Sequence, residues 1–197
     1  FDGRRSSAMD ISDFVRQDAL DVIVCQSNYR ERLPGFPTVS VLPMESLHLH
    51  GKLYLNELDL RTYVRPFDHG MPSVVSMKVL GMAEDFPMWQ TIYRRFAGEA
   101  DASRMGYWFY DMQSGWYEAP EIVKDIRELV SEEESLARLK PSAWRPDVAV
   151  LIDEVQILYG DNPLTRPAVN SGYIYFEQVR GLVCSGVPFE SYLAEDA

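Results

Sequence analysis

Lys52-Leu53-Tyr54-Leu55-Asn56-Glu57-Leu58-Asp59-Leu60-Arg61-Thr62 sets apolar side chains at 53, 55, 58 and 60 beside an acid, an acid and a base at 57, 59 and 61. Alternate residues of an extended chain share a face, so Glu57, Asp59 and Arg61 face one way if the strand continues through them. Two readings of such a strand are open. One is a surface strand with a solvated ion pair. The other is a chemical site at a strand end of an α/β barrel, where the backbone is rigid and the βα-loop opens to solvent.

Upstream, Asp21-Val22-Ile23-Val24-Cys25 is an apolar run led by an acid, the pattern of a strand buried on both faces of a parallel sheet. Gln26 to Gly35 is then a polar, turn-rich loop of the kind that lies at the ligand-binding end of barrel strands. Ile11 to Leu20 has the spacing of a short amphipathic helix, and Met44 to His50 reads as another, stopped by Gly51. His48 and His50 have no third ligand nearby, so no metal is expected.

Downstream, Tyr63 to Gly81 reads as a long βα-loop. Asp85 caps a helix with Pro87 in its first turn; Met88, Trp89, Ile92, Tyr93, Phe96 and Ala97 form its apolar face, with Gln90, Arg94 and Arg95 facing away. An aromatic strand, Arg104 to Asp111, leads to a loop carrying Gly115-Trp116-Tyr117. Pro120 opens a helix with Ile122, Val123, Ile126, Leu129 and Val130 inward and Glu132-Glu133-Glu134 as its solvated end.

Two prolines in Lys140-Pro141-Ser142-Ala143-Trp144-Arg145-Pro146 frame a linker, after which the pattern restarts. Asp147 to Asp153 reads as a second buried parallel strand, 168–184 as a helix and 187–193 as a strand, the opening unit of a doubly wound sheet. Neither a G-x-G-x-x-G nor a G-x-x-x-x-G-K-[ST] pattern follows 147–153, so no cofactor is expected. Cys25 and Cys184 lie in apolar runs and read as buried free thiols.

The chain of 197 residues is 46% hydrophobic and 25% charged, a globular composition. A net charge of −11 with dispersed Lys and Arg argues against nucleic acid or an anionic membrane as partner. There is no signal peptide, and no run approaches the ~18 apolar residues of a membrane span. The expected location is the cytoplasm, which a leader upstream of Phe1 would change. The polar start Phe1-Asp2-Gly3-Arg4-Arg5 reads as a cut from a longer chain.

A strand ending Gln26-Ser27-Asn28-Tyr29, then Leu49 to Thr62, then the helix with Arg94-Arg95, then Gly106-Tyr107-Trp108-Phe109-Tyr110-Asp111, resembles the late barrel of β-galactosidase-like glycoside hydrolases, family 42 and its relatives. Residues from Asp147 to Phe189 are similar to the opening of the amidotransferase-like trimerisation domain of those enzymes. The resemblance covers nearly the whole chain, carried by the order of the pieces. It implies an α/β chain in which 1–140 form about strands six to eight of a (β/α)8 TIM barrel, 141–146 a linker, and 147–197 the first β-α-β unit of a doubly wound domain.

For function, the resemblance implies a retaining β-glycosidase that uses no cofactor and assembles as a trimer. Asn56-Glu57 also resembles the acid/base pair of the fourth strand, but only one further barrel strand precedes the linker. Glu57 therefore takes the seventh strand and the role of nucleophile. The nucleophile must be ionised, a condition that Arg61 favours and Asp59 opposes. Its acid/base partner, about 5–5.5 Å away in a retaining enzyme, is expected outside this chain. Implied substrate contacts are Asn28, Tyr29, Asp59, Arg61, Trp108, Asp111 and Trp116, the last as a flat platform for a sugar ring, with packing as the alternative for each tryptophan. The rival reading is a non-catalytic scaffold for carbohydrate binding or assembly. Glutamine amidotransfer in 147–197 is the weaker third, because no cysteine stands at a strand-to-helix turn there.

Overall fold

The computed structural model describes residues 11–27, 32–64, 82–111, 115–140, 145–154 and 171–197, the side chains of the last segment from 177 on. Along the chain come α1 (Ile11–Val15), β1 (Val22–Gln26), α2 (Met44–Leu49), β2 (Leu53–Leu58), α3 (Phe86–Ser103), β3 (Gly106–Phe109), α4 (Pro120–Leu136), β4 (Ala149–Ile152), α5 (Ser171–Ser185), β5 (Glu190–Leu193) and a 3-10 turn, Ala194–Asp196. It is a mixed α/β chain with parallel strands in two small sheets, ordered β1-β2-β3 and β4-β5. No closed barrel is present among the described residues. The linker of the sequence reading has residues 141–144 outside the described ones, as is most of the loop 63–81.

Contacts group the chain into two units, one of residues 1–23, 39–54 and 145–197 and one of 24–38 and 55–144. The second unit is built on β2. Its register with β3 pairs Asn56 with Tyr107, Glu57 with Trp108 and Leu58 with Phe109. Leu58 on one face is buried under Trp89, Ile92, Tyr93, Phe96 and Ala97 of α3 and Ile122 and Leu129 of α4, with Tyr107 and Phe109 packed on the same cluster. Tyr93 joins the layers, stacked on Trp89 at 4.8 Å and tilted against Phe109 at 5.0 Å.

The local signals explain α3. Asp85 Oδ1 accepts the Met88 N–H at 2.9 Å, satisfying a donor that the first turn leaves unpaired, and Pro87 needs none. The helix ends at Arg104, which adopts the left-handed conformation at φ 52°. Its polar side, turned away from the apolar stripe, is engaged with neighbouring elements. Gln90 and Arg94 both donate to Asp125 of α4, at 2.6 and 2.7 Å, and two donors compensate that buried carboxylate. Arg95 donates to the carbonyls of Leu33 and Phe36. In α4, Val130 is exposed rather than inward, and Glu133 is half-buried, accepting from the Tyr107 hydroxyl.

In the first unit, β4 and β5 pair Ala149 with Glu190 through Ile152 with Leu193. Parallel strands send alternate N–H groups to opposite sides. The Glu190 N–H therefore meets Val148 C=O, while those of Ser191 and Leu193 turn outward to Glu45 Oε2 at 2.6 Å and Ser46 Oγ at 2.8 Å in α2. Glu154 caps α1 from a distance, its two oxygens each accepting one N–H, from Ile11 and Ser12, at 2.9 Å. The helix expected over 11–20 stops at Val15.

Two strands expected to be buried on both faces are not. Val24 in β1 and Leu151 in β4 are each 52% exposed. An apolar run records that a strand suits a sheet, whereas cover for its second face must come from elsewhere in the chain. Neither cysteine is in a disulfide, but Cys25 is half-buried and Cys184 exposed, because α5 ends with that side uncovered.

Candidate functional site

The face of the three-stranded sheet opposite α3 and α4 carries the chemistry. Side chains alternate along β2, so burying Leu58 under the helices turns Glu57 to the other side, directly across from Trp108. Ser27 N–H donates to Glu57 C=O at 3.3 Å, and parallel pairing then sets Gln26 beside Glu57. Trp108 is 39% exposed, with Tyr110 edge-on at 5.4 Å on the same face. Glu57 is half-buried, and among the described residues no side chain donates a hydrogen bond to its carboxylate.

Nearby, Cys25 points to the helix side with Asn56. Burial pushes its thiol up, the Gln26 backbone N–H opposes this, and the charge of Glu57 adds a smaller upward push. Cys25 is thus held as the thiol, the poorer nucleophile.

The carboxyl ends of the strands are tied together by groups that the sequence had assigned to substrate. Asp59 is 3% exposed and its carboxylate is paired with the 1% exposed Arg32. Arg32 also donates to Asp59 C=O at 3.3 Å and to Ser27 C=O at 3.1 Å. Asp111 Oδ2 accepts the N–H groups of Gly115 at 2.7 Å and Trp116 at 3.1 Å. Gly115 takes φ 96°, a conformation that side chains resist.

Trp116 is only 1% exposed, and the Arg61 guanidinium lies 5.5 Å from its ring centroid. That burial accords with the packing alternative for Trp116, with Arg61 as its cover. Thr62 donates to Trp116 C=O, and the Tyr117 hydroxyl lies within hydrogen-bond distance of Leu58 C=O at 3.2 Å and Leu60 C=O at 3.3 Å. Burial pushes the Tyr117 phenol far up, so it stays protonated and donates.

The structure thus brings Glu57 and Trp108 together on the open face, and gathers Asp59, Arg61, Asp111 and Trp116 into the scaffold behind the strand ends. Asn28 and Tyr29 lie outside the described residues. The tying roles of Arg32, Thr62 and Tyr117 were not legible in the sequence, because the partners lie 27, 54 and 59 residues away. No group of His, Cys, Asp and Glu suited to a metal ion occurs among the described residues, nor does any helix there have the length and apolarity to cross a membrane.

No family model, no curated protein and no solved structure matches this chain.

Proposed function

We propose that this chain is part of a retaining β-glycosidase of the β-galactosidase-like kind, in which Glu57 is the nucleophile and the acid/base is supplied from outside these residues. One observation carries the reading: a carboxylate at the carboxyl end of a central parallel strand, on the face away from the helices and across from an exposed tryptophan. Ligands of α/β barrels bind at that end of the strands. On this reading β1, β2 and β3 are successive staves of a (β/α)8 barrel, about strands six to eight, and β4, α5 and β5 begin a domain that supports a trimer.

Glu57 attacks the anomeric carbon while the missing acid protonates the departing oxygen. The glycosyl ester on Glu57 is then hydrolysed by water that the same acid/base activates. Trp108 supplies the flat apolar surface for the ring of a neutral sugar, in the place first given to Trp116. Asp59 and Asp111 are each engaged in the scaffold, which supports seeking the second carboxylate elsewhere.

A mechanism-based glycosyl inhibitor applied to a longer protein containing these residues tests the proposal. Covalent label on Glu57 is expected. An unlabelled protein that still binds sugar would favour the rival, a carbohydrate-binding or assembly scaffold, for which the exposed apolar face around Val24 and Trp108 speaks.

A further inference from the structure

Arg32 is a buried cation bonded to Ser27 and to Asp59 at the strand ends. We infer that it is a positioning residue for Glu57, fixing the direction in which that side chain leaves the sheet. The inference rests on the reading of Glu57 as the reacting group. The geometry is a bracket around one residue. Glu57 C=O is held by the Ser27 N–H, and Ser27 C=O is in turn held by Arg32 Nη2 at 3.1 Å. Two residues beyond Glu57, Asp59 is held twice, through its carbonyl by Arg32 Nη1 at 3.3 Å and through its carboxylate by Nη2.

The backbone at Glu57, by way of Ser27, and at Asp59 two residues on is therefore referred to a single planar group. That group cannot follow solvent, because Arg32, Ser27 and Asp59 are 1%, 3% and 3% exposed. Hydrogen bonds to charged groups in such surroundings are stronger than their counterparts in water. A lysine offers a point charge in place of a fork and cannot span the same three acceptors.

The test uses the 197-residue chain and two local signals, the amide exchange of Ser27 and the carboxyl carbon resonance of Glu57. In Arg32→Lys and Arg32→Gln, Ser27 is expected to exchange about tenfold faster or more, and the Glu57 resonance to move. The Ser191 amide, held by Glu45, should keep its rate. Asp59→Asn keeps the shape and removes only the ion pair, and it should move the Glu57 resonance in the same sense; it decides the matter if the arginine variants do not fold. A Glu57 resonance unmoved in every folded variant overturns the inference, as does exchange that rises equally at Ser27 and Ser191, since that marks general loss of stability. Inhibitor labelling is a separate measurement: absence of label on Glu57 removes the nucleophile but leaves a measured bracket standing.

Discussion

Arg104 closes α3 in a conformation that costs an L-residue roughly 1–2 kcal/mol and glycine almost nothing. Arg104→Gly is therefore expected to raise stability by up to about 1 kcal/mol, read from urea unfolding at unchanged slope. At the other end of the same helix, Asp85→Ala removes the acceptor for the Met88 N–H and is expected to cost about 1 kcal/mol. Beneath the helix, Trp89→Ala opens a cavity in the cluster around Leu58 and should cost about 3–5 kcal/mol. The cap was legible in the sequence as Asp85 with Pro87 close behind, because capping is chemistry between neighbours. The ion pair of Arg32 and Asp59 was not, since 27 residues separate its members and nothing local marks either as the other's partner.

At the scale of elements, periodicity placed α2, β2, α3, β3 and α4 within a few residues and foresaw that β4 and β5 would run parallel across a helix. It misjudged faces. Arg95 and Arg94 were read only as facing away from the apolar stripe of α3, yet one bonds the carbonyls of Leu33 and Phe36 and the other reaches a buried acid. Val24 and Leu151 were given to the interior because they sit in apolar runs. The closing 3-10 turn offers a test in pH. Burial by itself would raise the Asp196 carboxyl, but hydrogen bonds from Ser46 and His50 and the charges of His50 and Arg16 outweigh it and hold it below its ordinary value of 3.8. A depressed carboxyl stabilises the folded form above the ordinary value and loses that contribution as pH falls through the folded one. Protection of the amides in Ala194–Asp196, taken relative to the intrinsic exchange rate at each pH, is expected to hold above about pH 5 and to fall on acidification below about pH 4.

For the whole molecule, the −11 charge makes one inexpensive expectation: at about 0.15 M salt the chain should neither retard duplex DNA in a gel nor sediment with anionic vesicles. Binding in either assay would mean that a basic patch exists in spite of the composition. Contacts return the chain to the first unit at Arg145. That the first unit also takes in residues 39–54 was beyond sequence reasoning, because the bonds that join α2 to β5 reach across 146 and 147 residues.

Those two N–H groups have a further effect. With Glu45 and Ser46 occupying them, the outer rim of β5 has no template to offer an incoming extended peptide, and natural sheets that leave such a rim bare are prone to stick to one another. Any further strand must therefore enlist beside β4, which gives this small sheet a one-way direction of growth. Glu45→Ala together with Ser46→Ala would remove the barrier and turn β5 into a seed for self-association.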